Sequence, residues 1–193
     1  MRAFSIVILL WTFPAHGHAP ELASALAQRV TLEMPSGDRV PVGHCRRAPH
    51  GCKSRVGALA SYFIDAGARF QVDPWVLAAI AVKESALHPF AVGAIGERGV
   101  MQINPRRRYL PRPIRRFFDR ADHRSSCQRR LGACQEAFVE YGAQILSRAL
   151  ERCGDLQGAL TAYNTGRCEV PGHRYAERVL RERDLLMTIA KGY

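Results

Sequence analysis

Asp73-Pro74 followed by Trp75-Val76-Leu77-Ala78-Ala79-Ile80-Ala81-Val82 constrains this chain more than any other stretch. The acid can cap a helix N-terminus, and proline is preorganised for the first helical position. The residues after it are apolar on nearly every side, so their helix has no face to give to water. Such a helix is stable only when other elements surround it. Lys83-Glu84-Ser85 ends the run, so the buried helix delivers a carboxylate to the edge of the core.

Helical periodicity supplies the surrounding elements. Val56, Leu59, Phe63 and Ala66 repeat at threes and fours, predicting an amphipathic helix from Arg55 to about Ala68. Phe138, Tyr141, Ile145 and Ala149 predict another, from about Cys134 to a stop at Cys153-Gly154. Asp155 can cap a helix through Leu156, Leu160 and Tyr163 that Asn164-Thr165-Gly166 ends, and a last helix spans about Arg174 to Ala190. His18 to Val30 reads as a short helix, and the Pro- and Gly-rich stretch from Glu33 to Lys53 as an irregular arm. No internal repeat and no convincing run of strands is present. The expected fold is mainly α: a single domain around one buried central helix.

The 193 residues suffice for one domain with a real core, and 47% apolar with 23% charged residues is ordinary for a globular protein. The N-terminus reads differently. Arg2, the apolar run Ala3 to Phe13 and the small residues of Pro14-Ala15-His16-Gly17-His18-Ala19 have the layout of a secretory signal peptide, residues 1–17. Cleavage after Gly17 fits better than cleavage after Ala19, which leaves Pro20 beside the bond. An uncleaved anchor is the competing reading. Export to the periplasm or beyond agrees with six cysteines, an even number suited to disulfides in an oxidising compartment. Their order suggests the local pairs Cys45–Cys52, Cys127–Cys134 and Cys153–Cys168, with other connectivities open. No cysteine or histidine spacing of the zinc type occurs, and no metal or cofactor is expected.

The formal charge is +11, and loss of residues 1–17 removes only Arg2, leaving +10. Ten arginines fall between Arg106 and Arg130, against Asp119 and Asp122. A basic exported chain meets anionic surfaces. Nucleic-acid binding is not expected, because no binding motif is visible; a solvated basic face is the plain alternative.

Glu84 is the first candidate for chemistry. A carboxyl at the end of a buried helix is partly desolvated, which holds its proton on toward neutral pH as a general acid requires. A solvated helix-end glutamate beside Lys83 is the plain alternative. After it come Pro89, Ala91, Gly93, Gly96 and Gly99, and then Val100-Met101-Gln102.

Glu84-Ser85 with Pro89, Ala91, Gly96, Gly99 and Met101-Gln102 resembles the signature of the soluble lytic transglycosylase family, whose domain is related in fold to goose-type lysozyme. Gly93 stands where many members have serine. Two further blocks match: Ala162-Tyr163-Asn164-Thr165-Gly166, and Tyr175 in the final helix. The resemblance covers roughly residues 55 to 190, and implies a lysozyme-like catalytic domain over 55–193 preceded by an arm over 18–54. It implies that Glu84 is the single catalytic acid and base, cleaving the β-1,4 bond between N-acetylmuramic acid and N-acetylglucosamine in peptidoglycan. The muramyl C6 hydroxyl would close a 1,6-anhydro ring. It also implies that Ser85 hydrogen-bonds Glu84 or the sugar. Met101 and Gln102 would wall the groove, with Tyr163 and Asn164 as further groove residues and Tyr175 reaching Glu84 or the reacting sugar.

Alternatives stay open. Glu97, in the glycine-rich loop, is expected to be a solvated residue paired with Arg98 or a nearby arginine; in the groove it would instead suit a muramidase that activates water. A non-catalytic wall-binding protein is the second class. The expected partner is the peptidoglycan glycan strand, and the basic run offers contact with a secretion or conjugation apparatus.

Overall fold

The computed structural model describes residues 19–33, 39–41, 45, 49–105, 110–118 and 123–192. The expected signal peptide lies outside them, as do Arg106 to Tyr109 in the basic run. Among the described residues no helix is long and apolar enough to cross a membrane.

The chain is mainly helical. In order it forms α1 (Ala19–Arg29), a short antiparallel pair β1 (Thr31–Glu33) and β2 (Arg39–Pro41), α2 (Pro49–Phe70) and α3 (Pro74–Ser85). Then follow α4 (Arg112–Arg115), α5 (His123–Arg129), α6 (Leu131–Cys153), α7 (Leu156–Thr165) and α8 (Tyr175–Ala190). The central helix is α3, and Val76 through Ala81 are wholly buried. Asp73 caps it, its side chain accepting from the Trp75 N–H at 2.8 Å, with Pro74 as the first helical residue. Helices α2, α6 and α8 pack around it; α1 lies across α2 and α8, and α7 bridges α6 and α8.

Two expectations need correction. The stretch after Glu33 is not wholly irregular: β2 pairs with β1, and α2 begins at Pro49 rather than Arg55. An apolar period read from Val56 onward misses this first turn, because Gly51 and Lys53 are exposed and Cys52 alone of residues 51–53 is buried. The stops after α6 and α7 fall where glycine permits them, at Gly154 and Gly166, both at φ 83°. Disulfides join Cys45–Cys52, Cys127–Cys134 and Cys153–Cys168, each pair local in sequence. Ile114 and Phe117 are buried and Phe118 meets Phe138 with ring centroids 5.6 Å apart, so this part of the basic run is fastened to α6.

Buried charge ties the N-terminal helix to the centre. Glu182 of α8, only 5% exposed, accepts from Arg29 Nε of α1 at 2.6 Å and from Lys83 Nζ of α3 at 3.5 Å.

Candidate active site

Glu84 lies in the last turn of α3, where the apolar envelope ends. Tyr175, in the first turn of α8, donates its hydroxyl to Glu84 Oε1 at 2.5 Å. Burial pushes the Glu84 carboxyl above the usual carboxylate range. The Tyr175 hydrogen bond and Arg178 oppose that rise, and the nearby charge of Glu97 adds to it. Tyr175 is itself held well above its ordinary value, by burial first and then by Glu84, so it remains a proton donor in this pair.

The chain turns sharply behind Glu84. Ala86 and Leu87 both take left-handed backbone, at φ 50° and 63°. Their N–H groups return to the helix end, Ala86 to Val82 O at 2.9 Å and Leu87 to Ala81 O at 3.3 Å. Arg55 of α2 holds the turn, donating from Nη1 to Leu87 O at 2.7 Å and to Gln135 Oε1 at 3.0 Å. Its Nη2 reaches Cys52 Sγ at 3.3 Å. Burial lowers the Arg55 guanidinium to about 10.

From there the chain folds into a compact glycine-rich loop. Val92 bridges Arg98, and Arg98 bridges Ile103. Gly99, at φ 73°, presses on Phe138, and a β-carbon there would come within 2.8 Å of that ring. Glycine is required there for both space and backbone. The result is a cleft of about 430 Å³ whose lining includes Glu84, Glu97, Gln102, Asn104, Tyr163 and Asn164. Ile95 from the loop and Ile145 from α6 add apolar wall.

The residues expected to act together are gathered here, except that Ser85 and Met101 do not take the places expected of them. Gln102 faces the cleft, and its amide N–H groups go to Ala91 O at 3.1 Å and Gly99 O at 3.0 Å. Asn164 is exposed at the mouth. Tyr163 lines the cleft, while its hydroxyl donates to Met101 O at 3.0 Å. Ser85 does not bond Glu84: its Oγ lies 2.8 Å from Val100 O and 3.1 Å from Ala81 O, bracing the loop against α3.

Met101 is not a groove wall. Its side chain is wholly buried, against Gly142, where a β-carbon would lie 2.7 Å from its Cε. The backbone turns at Gln102, φ 46°, so neighbouring side chains go to opposite sides, Met101 into the core and Gln102 to the cleft.

Glu97 takes the second of the two places left open for it, in the cleft. It makes no ion pair with Arg98 among the described residues. It lines the cleft with Glu84, and its Oε2 accepts from the Ile95 N–H at 3.1 Å. Gly93 was the available signal, since a side chain there would collide with the Glu97 carboxylate. Ile145, which its helical period places on a core face, is buried there and also reaches the cleft wall. Among the described residues no group of His, Cys, Asp and Glu is arranged to hold a metal ion.

A mainly helical domain whose buried central helix ends in a desolvated, hydrogen-bonded glutamate at a polar cleft is a lysozyme-like domain. Residues 61–178, more than half of the chain, match the family described as the transglycosylase SLT domain, and the chain belongs to that family. The match runs from α2 into α8 and takes in Glu84, the cleft and Tyr175. Family membership supports peptidoglycan as substrate and transglycosylase as activity. Comparison with curated proteins and with solved structures gives no match.

Proposed function

We propose that this chain is an exported lytic transglycosylase that cleaves the N-acetylmuramic acid–β-1,4–N-acetylglucosamine bond without water, using Glu84 alone as acid and then base. The observation that carries the reading is the setting of Glu84, at the end of the buried helix, hydrogen-bonded by Tyr175 and lining the cleft. Burial favours its protonated form, and a cleft large enough for sugar rings opens beside it. The protonated carboxyl gives its proton to the glycosidic oxygen. The C1–O bond breaks with its electron pair leaving on that oxygen, and the carboxylate faces the developing positive charge at C1. The muramyl C6 hydroxyl then adds to C1 and its proton returns to Glu84, which restores the starting state. An intramolecular nucleophile is already at high effective concentration, so no second carboxylate has to activate water. The product is a 1,6-anhydro sugar, which makes the enzyme a carbon–oxygen lyase.

Glu97 in the cleft favours one second reading, a muramidase in which Glu97 is the base for an attacking water. Mass spectrometry of products from purified peptidoglycan separates the two. Anhydro-muramyl ends are expected, and reducing muramyl ends alone would sink the lyase reading. Export is supported by the N-terminal layout and by three disulfides. N-terminal sequencing of the periplasmic form should begin at His18; recovery of the intact N-terminus from membranes would contradict it.

A further inference from the structure

Glu97 and Gln102 meet over Gly93 in a way the acid–base chemistry does not require. A β-carbon on Gly93 would collide with Glu97 Oε2 and lie 2.8 Å from Gln102 Oε1. Both oxygens therefore stand over the same backbone atom, within one side chain's reach of each other. The loop's own closure creates this arrangement. The Gly93 N–H donates to Glu97 O at 2.9 Å and the Gly96 N–H to Gly93 O at 3.1 Å, so the turn folds residue 97 back onto residue 93.

The orientation of both groups is fixed by neighbours. The Gln102 amide spends its N–H donors on Ala91 O and Gly99 O, so its oxygen is the end left toward Gly93 and the cleft. A flipped amide would set its oxygen against two carbonyl oxygens. Glu97 Oε2 is steadied by the Ile95 N–H. What remains is an acceptor-only pair beside Glu84, on the wall of the cleft.

We propose that Glu97 and Gln102 form a sugar-binding clamp that accepts hydrogen bonds from adjacent neutral donors, a hydroxyl and an acetamido N–H, on one ring of the glycan. Acceptors fixed in this way exclude a ring bearing an anionic group at that place and favour donor-bearing N-acetylated rings. A neutral donor also suits the neighbouring carboxyl. An ammonium group there would lower the proton affinity of Glu84, whereas a neutral hydroxyl or amide would not. Glu97 thus acts as a specificity-determining residue, and Gly93 is the vacancy that admits its carboxylate.

The proposal rests on the glycan-binding part of the proposed function, and the test separates the two. Glu84→Gln protein, which does not cleave, is titrated calorimetrically with peptidoglycan glycan fragments. Adding Glu97→Ala should weaken binding at least fivefold, with Glu97→Gln restoring part of the loss through its remaining oxygen. Gly93→Ala should weaken it similarly, because the flexible end of Glu97 must move aside while the backbone need not. Circular dichroism melts confirm that each variant is folded. With Glu84 intact, Glu97→Ala should raise KM severalfold and leave kcat within about twofold. Unchanged affinity in folded Glu97→Ala and Gly93→Ala proteins overturns the clamp and leaves the lytic reading standing. Loss of kcat by orders of magnitude with KM unchanged overturns it in favour of water activation by Glu97. Failure of the Glu84→Gln protein to bind any glycan overturns both readings.

Discussion

The Tyr175 hydroxyl donates to Glu84 Oε1 across 2.5 Å, joining the first turn of α8 to the last turn of α3. The donor stabilises the carboxylate form and so works against the burial that raises the proton affinity of Glu84. In Tyr175→Phe the carboxyl should hold its proton to still higher pH. We expect the alkaline limb of the kcat/KM profile to move upward, while kcat falls by roughly tenfold as the reacting carboxyl loses its fixed orientation. A downward movement of that limb would show that the hydrogen bond does not set the proton affinity of Glu84.

Glu84→Gln should abolish lysis, a loss on the order of 10²-fold or more, measured by release of soluble muropeptides. It should also stabilise the protein at neutral pH. The folded state holds the Glu84 proton more tightly than the unfolded state, because burial is the largest influence on it. Its contribution to stability is therefore fully present below the ordinary carboxyl range and lost as pH rises through the raised value. The amide carries no such penalty. Thermal melts should place Glu84→Gln above the wild type at pH 7, by a few degrees at most, with the gap closing as pH falls below ~4. A constant gap across that range would contradict the burial argument.

Met101→Ala separates a core methionine from a groove-wall one. A buried methionine removed from a packed site costs about 2–5 kcal/mol, whereas a groove-wall methionine would cost little. Urea denaturation should show the large loss, with KM close to wild type for the fraction that remains folded. A raised KM with unchanged stability would return Met101 to the groove.

Much of this architecture was legible because it depends on local chemistry. Asp73-Pro74 favours a helix start by its own cap and fixed φ, and Gly154 and Gly166 end helices in left-handed backbone that glycine adopts without steric cost. Glu84 was legible for the same reason: a helix with no polar face must carry its last residues to the border of the core. Met101 and Glu97 were not. Their loop has neither the helical nor the strand period, so sequence alone does not say which side chain turns inward. That choice is made by distant partners, Gly142 and Tyr163 for Met101 and the Gly93 vacancy for Glu97. Ser85 sits beside Glu84, and only the fold reveals that its hydroxyl is engaged by Val100.

Glu182→Ala should loosen α1. The substitution leaves Arg29 and Lys83 without their shared carboxylate at a site where Glu182 is 5% exposed. Both cations reach partly to solvent, so a loss of about 2 kcal/mol is expected rather than the larger figure for a fully buried pair. Hydrogen exchange should speed up in residues 19–29 before it does so in α6. Uniform exchange throughout the chain would mean that α1 is not held by this cluster.

The two left-handed residues behind Glu84 have a consequence for how the protein tolerates change. Ala86 and Leu87 occupy backbone that costs each roughly 1 kcal/mol, at positions where the chain offers no glycine. Leu87 recovers that cost by burying its side chain and by lending its carbonyl to Arg55, but Ala86 is exposed and recovers nothing through its methyl group. The two neighbours therefore carry opposite mutational spectra. Position 86 is a latent glycine site, open to relief without touching the core, and position 87 is closed to glycine. The course of the glycine-rich loop away from α3 starts from that one asymmetric pair.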